Sequence, residues 1–260
     1  MAVFPTILHK DTAESVRDYF VHDPRVDTVL LVNSCARARA VPESDLDFAI
    51  LVKTTVTPME ILTIETDWNS YAQSQPVIAK YKQSGPYAHL HLDVITGQYT
   101  PKILESGEPI DFFEIEIGNQ ICHSLPMNSA GPYFQELQKK WLPYYSEDIR
   151  KQRRVMSRNA CIYDLDHIPF LIKRNLYFHA FEILYKAFQE YLQTLFISKK
   201  TYPIAYNKWI KEQVVEWLDM PGLYPKLLTI LSISRIEGNE INDKAELLRD
   251  LLDDLAEQSQ

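Results

Sequence analysis

Two aspartates, Asp45 and Asp47, stand two positions apart at the start of the apolar run "LDFAILV". Residues two apart on a β-strand point to the same side, so these carboxylates project together from Cα atoms about 6.5 Å apart at ~3.3 Å per residue. Aligned carboxylates repel each other unless a positive charge lies between them. A divalent cation with oxygen ligands, Mg²⁺ above all, satisfies both. The spacing therefore predicts a metal site at the edge of a buried strand, with two exposed turn-capping aspartates as the alternative.

The segment before this pair offers groups that suit a triphosphate. An apolar run ends at Asn33 and Ser34, and a short loop with Arg37 and Arg39 then leads to Ser44. A hydroxyl, the backbone N–H groups of a tight turn and arginine side chains are the usual anchors of phosphate oxygens. We therefore expect a phosphate-binding loop beside the acidic pair.

A third carboxylate, Asp93, lies in the alternating run "HLHLDVI" and shares a face with His89 and His91. If this strand lies beside the one that begins with Asp45 and Asp47, the third carboxylate completes a two-metal site. The two histidines could join a metal site, but Mg²⁺ prefers oxygen ligands, so we favour a structural role and, after it, a hydrogen-bonding or substrate-contact role.

The order of these segments resembles a known family. A strand, "NSCARA" (33–38), a loop, "SDLDF" (44–48), a strand, a helix and a strand with Asp93 follow one another, as in the polymerase-beta-like nucleotidyltransferases. The resemblance covers residues 26–96. It implies Mg²⁺-dependent transfer of a nucleoside monophosphate from a nucleoside triphosphate to an acceptor hydroxyl, with two Mg²⁺ ions.

The same resemblance implies roles for individual residues. It makes Asp45, Asp47 and Asp93 the metal ligands and catalytic residues. It makes Ser34, Arg37, Ser44 and Lys208 the nucleotide-binding residues. Lys208 lies in "TYPIAYNKW", which is similar to a segment of related bacterial members in which the lysine would face the nucleotide.

Two positions depart from the family pattern, because Asn33 and Ala38 stand where the family has glycine. Glycine permits positive φ and close approach to phosphate. Asparagine is the next most tolerant residue for left-handed φ, so we expect Asn33 to preserve the turn, whereas Ala38 suits it less well.

Hydrophobic periodicity predicts an α+β fold. We expect strands at 26–32, 46–52, 89–95 and 112–122, and helices from Asp11 to His22 and from Pro58 to Ser74. The predicted organisation is a nucleotidyltransferase domain with a small mixed sheet over residues 1–128 and an all-helical bundle domain over residues 129–260, with the site in the cleft between them. The helical part resembles the C-terminal domain of the aminoglycoside nucleotidyltransferase branch.

The helical part contains two further candidates. "RNLYFH" has the arginine and histidine spacing of the HEPN helical ribonucleases, at Arg174 and His179. Five residues correspond to about 140° around a helix, so the spacing is weak support for a ribonuclease. Glu182 is a candidate general base.

Composition limits the classes of partner. The formal net charge is −8, from 27 basic and 35 acidic residues, so nucleic acid is not an expected partner. The three cysteines lack metal-binding or disulfide spacing, and no signal peptide or apolar stretch of ~18 residues is evident, so we expect a cytoplasmic protein with no membrane partner.

An acidic chain suits a cationic small-molecule acceptor, such as an aminoglycoside-like antibiotic. Two alternatives stay open. One is a protein-modifying or antitoxin-like nucleotidyltransferase, and the other is a non-catalytic nucleotide-binding module with a HEPN-like helical domain. The sequence also leaves a homodimer open.

Overall fold

The structure is a computed structural model that describes residues 4–257. Contacts divide the chain into two compact units: the residues up to Tyr99 together with Glu116–Pro143, and Thr100–Ile115 together with the residues from Tyr144 onward. The predicted boundary after residue 128 falls inside the first unit. Each unit is thus assembled from two separate stretches of chain, which a single boundary does not describe.

The α+β class is confirmed, because the chain is 57% helical and contains a small mixed sheet of four strands. The strands belong to the first unit and lie in the order β3-β2-β1-β4. Their bounds are β1 Val26–Leu31, β2 Leu46–Val52, β3 Leu90–Ile95 and β4 Leu125–Pro126. β1 is antiparallel to β2 and β4, whereas β2 and β3 run parallel. The first three strands lie where periodicity predicts them.

Three helices cover one face of this sheet: α1 Ile7–Phe20, α3 Pro58–Ser74 and α4 Pro76–Lys82. The α3 helix begins as predicted, with a complete capping box between Thr57 and Glu60. The predicted start of α1 at Asp11 is wrong. Thr6 caps this helix instead, because its side chain accepts a hydrogen bond from the His9 N–H. A short helix, α2 Asn33–Ala36, follows β1 directly.

The predicted strand at 112–122 is also wrong. This segment forms α5 Phe113–Ile117, followed by a π-helix at Gly118–Cys122. The buried apolar residues are Phe113, Ile117 and Ile121, which have the spacing of a helix. Glu114 is itself completely buried, so the alternation of glutamate with isoleucine does not mark a solvent-exposed strand face.

The remaining helices follow in chain order. They are α6 Pro132–Trp141 in the first unit, and α7 Glu147–Lys173, α8 Tyr177–Ser198, a π-helix at Glu212–Trp217, α9 Leu223–Leu231 and α10 Glu240–Glu257 in the second. Apolar residues of α7, α8, α9 and α10 form the core of the second unit. Within the described residues, no helix has both the length and the apolar character needed to cross a bilayer.

Candidate metal and nucleotide site

The two faces of β2 differ in character. Leu46, Phe48 and Ile50 belong to the core beneath the covering helices. Asp45 and Asp47 alternate with these residues and are half-buried at the start of the strand. The predicted placement of both aspartates on one side of a strand end is therefore consistent with the structure.

The register between β2 and β3 brings a histidine to this pair. Asp47 lies opposite His91 in the parallel ladder. One potential ligand atom from each of Asp45, Asp47 and His91 falls within 4.8 Å of the others, and His91 Nε2 lies 3.8 Å from Asp45 Oδ2. These three residues, which we call the ligand group, offer two carboxylates and one imidazole to a cation.

Asp93 does not belong to the ligand group, although β3 lies beside β2 as predicted. It lies opposite Ala49, two residues farther along the strands than the pair formed by Asp47 and His91. Its side chain is exposed on the edge strand. The structure thus brings together two of the three predicted carboxylates. The sequence shows His91 on the same face, where it could join a metal site, but the ligand preference of Mg²⁺ led us to favour a structural, hydrogen-bonding or substrate-contact role for it.

Two residues of the segment that follows β1 have a left-handed backbone conformation. Asn33 has φ 58° and Ala38 has φ 56°, so both positions that carry glycine in the resembled family have positive φ. The expectation for Asn33 is confirmed. Between these residues, the Arg37 and Arg39 N–H groups donate to the Asn33 and Ser34 carbonyls at 3.3 and 2.9 Å. The tight turn is kept, and Ala38 accepts a conformation that disfavours a Cβ atom.

The predicted phosphate-binding residues lie in or next to this turn. Ser34 and Arg37 are half-buried. Ser44 is half-buried too, and its hydroxyl accepts a hydrogen bond from the Val41 N–H at 2.9 Å, which closes the loop in front of Asp45. The Ser44 hydroxyl thus has a structural partner within its own loop.

The acidic pair creates a negative potential that reaches the buried Cys35 side chain. The Cys35 Sγ atom lies 3.8 Å from the Asp45 carbonyl oxygen. Burial is the main cause that raises the pKa of the Cys35 thiol to about 12, and the Asp47 and Asp45 charges add to it. A bound cation would neutralise part of this potential.

Lys208 belongs to the second unit and is exposed. The buried Gln213 side chain fixes its loop, because it donates to the Ala205 and Lys208 carbonyls at 2.9 and 3.1 Å and accepts from the Ile204 N–H at 2.8 Å. Lys208 therefore projects from an ordered loop rather than from a helix.

The remaining helical candidates are exposed. Arg174 ends α7, with its guanidinium 5.1 Å from the centre of the Phe170 ring. His179 and Glu182 lie in the first part of α8 with exposed side chains. Nothing in the described contacts joins Arg174 and His179 into a ribonuclease site.

The ligand group offers two carboxylates and one imidazole, a donor set that could hold a divalent cation. Carboxylates hold hard divalent cations, which in nucleotide sites are completed by phosphate oxygens. A scan against protein-family models finds no matching family, and no curated protein matches the chain. The resemblance to polymerase-beta-like nucleotidyltransferases therefore rests on the residues and geometry described above.

Proposed function

We propose that this protein is a divalent-metal-dependent nucleotidyltransferase. The observation that carries the proposal is the ligand group at the start of β2, directly beside a tight turn with left-handed residues at Asn33 and Ala38. In this reading the first unit is the nucleotidyltransferase domain and the second is its helical partner domain.

The donor set fits a divalent cation. Asp45 and Asp47 would hold it, because two carboxylates on one face of a strand end match the oxygen preference of Mg²⁺. When bound, Mg²⁺ supplies positive charge that neutralises the phosphate oxygens. Asp93 lies on the same face of β3 as His91 and is the proposed acceptor of the proton from the attacking hydroxyl. The resemblance also makes Asp93 a ligand of a second ion.

The other residues would bind and orient the nucleotide. The Ser34 hydroxyl suits a phosphate oxygen, and Arg37 adds positive charge. The resemblance also makes Lys208 a nucleotide-binding residue. In the reaction, the acceptor hydroxyl oxygen forms a bond to the α-phosphorus while the bond to pyrophosphate breaks. We propose a cationic small molecule, such as an aminoglycoside-like antibiotic, as the acceptor, because the chain carries a net charge of −8.

Calorimetric titration tests the proposal. Wild type, Asp45→Asn and Asp47→Asn are titrated with Mg²⁺ and with Mg²⁺ plus ATP, and then incubated with labelled ATP, GTP, CTP or UTP and a panel of acceptors. We expect wild type to bind Mg²⁺-ATP and transfer label, and both variants to lose transfer by at least about 100-fold. Wild-type turnover in either variant would contradict the proposed site, and tight binding without transfer to any acceptor would favour a non-catalytic module.

A further inference from the structure

The carbonyl group of Ser44, the residue directly before Asp45, accepts two hydrogen bonds from buried side chains. His9 Nε2 lies 3.0 Å from this oxygen, and the Tyr81 hydroxyl lies 2.9 Å from it. His9 is 2% exposed and Tyr81 is completely buried. Two polar side chains from two different helices, α1 and α4, therefore converge on one carbonyl of the loop that leads into the acidic pair.

The hydrogen-bond network fixes the tautomer of His9. A carbonyl oxygen can only accept, so Nε2 must carry the proton that is donated to Ser44. The Nδ1 atom then accepts from the Thr6 hydroxyl, which lies 2.7 Å away, while the same hydroxyl accepts from the His9 N–H. The Tyr81 ring packs edge-on against the His9 ring, with the ring centres 5.1 Å apart. Both donors are thus held in single orientations.

Asp45 needs such support more than Asp47 does. Asp47 lies inside β2, where its carbonyl oxygen accepts from the Val32 N–H at 3.0 Å. Asp45 precedes the strand, and the sheet ladder resumes only at the Leu46 N–H, which donates to the His89 carbonyl at 2.9 Å. The peptide plane between Ser44 and Asp45 is therefore oriented by His9 and Tyr81.

We propose that His9 and Tyr81 are positioning residues that set the direction of the Asp45 carboxylate for metal binding, an inference that rests on the proposed function. Groups that orient metal ligands typically contribute 10–100-fold to metal affinity. Ligand geometry must be held to within about 0.5 Å, and the two hydrogen bonds restrict the peptide on the N-terminal side of Asp45.

Two substitutions and a matched control test this role in the full chain. Tyr81→Phe removes one hydrogen bond and keeps the ring. Tyr99→Phe is the control, because Tyr99 is also buried in the first unit and its hydroxyl donates to Gln120 at 2.8 Å. Mn²⁺ affinity is measured by electron paramagnetic resonance, and thermal unfolding is recorded for each variant. We expect Tyr81→Phe to weaken Mn²⁺ binding about tenfold and Tyr99→Phe to leave it unchanged.

His9 is tested by rescue. His9→Leu removes the donor, whereas His9→Gln places an amide N–H near the position of Nε2, so Mn²⁺ affinity should fall in the first variant and largely return in the second. Asp45→Asn separates the two hypotheses. Unchanged Mn²⁺ binding in Asp45→Asn would overturn the proposed metal site itself. If Asp45→Asn loses Mn²⁺ binding but Tyr81→Phe binds Mn²⁺ as tightly as Tyr99→Phe does, only the positioning role is overturned. If His9→Leu does not fold, the comparison of Tyr81→Phe with Tyr99→Phe decides the matter.

Discussion

His91 adds an imidazole to a ligand group that otherwise consists of carboxylates, and in the proposed metal site it would affect which cation binds best. Imidazole raises affinity for the later first-row metals far more than for Mg²⁺. We expect His91→Ala to lower Co²⁺ affinity about tenfold and Mg²⁺ affinity much less, as measured by calorimetry. Equal losses for both metals would show that His91 acts through charge or packing rather than as a ligand.

Asn33 is a residue whose backbone conformation is tied to the site. At φ 58°, a β-branched side chain costs about 1–2 kcal/mol, whereas glycine is tolerated. We expect Asn33→Gly to keep Mg²⁺-ATP affinity and Asn33→Val to weaken it at least about tenfold, since strain would displace Ser34 from the phosphates. Calorimetry measures both variants. Wild-type affinity in Asn33→Val would mean that this turn does not bind phosphate.

Glu190 is a buried acid outside the candidate site. It is 1% exposed, and Lys186 Nζ lies 3.0 Å from Asp164 Oδ2 and 3.7 Å from Glu190 Oε1. Burial and, after it, the Asp164 charge raise the pKa of Glu190 from 4.5 to about 8, while Lys186 opposes this shift. The folded state therefore binds a proton that the unfolded chain releases near its ordinary pKa.

A raised carboxyl pKa makes stability fall as pH rises. The contribution of Glu190 is fully present below about pH 4.5 and is lost as pH rises through about 8. We expect the melting temperature of wild type to drop between roughly pH 4.5 and pH 8, and Glu190→Gln to reduce this drop by about 3 °C or more, because glutamine resembles the protonated acid. Parallel thermal melts that show the same pH slope for both proteins would contradict this assignment.

At the scale of elements, Asp27 at the start of β1 determines how α6 begins. Its carboxylate accepts from the Tyr133 and Phe134 N–H groups at 3.1 and 3.0 Å, so it satisfies the first turn of the helix. Gly131 lies against it, and a Cβ atom there would meet Asp27 Oδ2 at 2.4 Å and the Asp27 carbonyl oxygen at 2.5 Å. The strand and the helix are thus joined through a position without room for a side chain.

Gly131→Ala should therefore destabilise the first unit. The clash includes backbone, so we expect a loss of about 1–3 kcal/mol in the free energy of unfolding, as measured with urea. Gly85→Ala is the matched control, because a Cβ atom at Gly85 meets nothing within 4 Å. Equal stability of the two variants would show that the approach of Asp27 to Gly131 is readily relieved.

Elements with a local signal were predictable from sequence. Continuous apolar runs marked β1 and β2, alternation marked β3, and a proline in the first turn marked the start of α3 at Pro58. The segment 112–122 misled the prediction because Glu114 looked like a solvent-facing strand residue. Its partner, Arg153, lies far along the chain and bonds it at 2.6 Å, and no local pattern reveals such a buried pair.

The candidate site also has a part that was predictable from local sequence and a part that was not. The alignment of Asp45 with Asp47 follows from strand alternation alone. The choice of His91 rather than Asp93 depends on the register of two strands that are distant in sequence. The hydrogen bonds from His9 and Tyr81 to Ser44 depend on helix packing, which periodicity does not specify.

At the scale of the whole molecule, the segment Thr100–Ile115 is held within the second unit by a buried guanidinium. Arg153 is completely buried, donates to the Glu114 carboxylate at 2.6 and 2.7 Å and to the Asp111 carboxylate at 2.7 and 3.0 Å, and reaches the Lys102 carbonyl. Gln193 adds hydrogen bonds to both acids. Removal of one partner from such a buried group typically costs 3–5 kcal/mol.

This arrangement predicts that two fragments will associate when the chain is cut between Pro143 and Tyr144, where it passes into the second unit for the last time. We expect a tagged 1–143 fragment and a 144–260 fragment, co-expressed, to purify together, because the first carries Asp111 and Glu114 and the second carries Arg153. Arg153→Ala should abolish co-purification. Arg249→Ala, which removes a surface pair with Asp166 inside the second fragment, should not. Fragments that remain separate with wild-type Arg153 would contradict the prediction.

Because each unit consists of two separate stretches of chain, the partners in the second unit are synthesised at different times. Asp111 and Glu114 leave the ribosome well before Arg153 and Gln193, which bind them only in the finished fold. At ~5–20 residues per second, Gln193 follows Glu114 by on the order of ten seconds. We expect the two acids to remain hydrated during that interval, and residues 116–143 to become available to complete the first unit. The earlier part of the chain would then finish folding while Thr100–Ile115 still waits for helices that have yet to be translated.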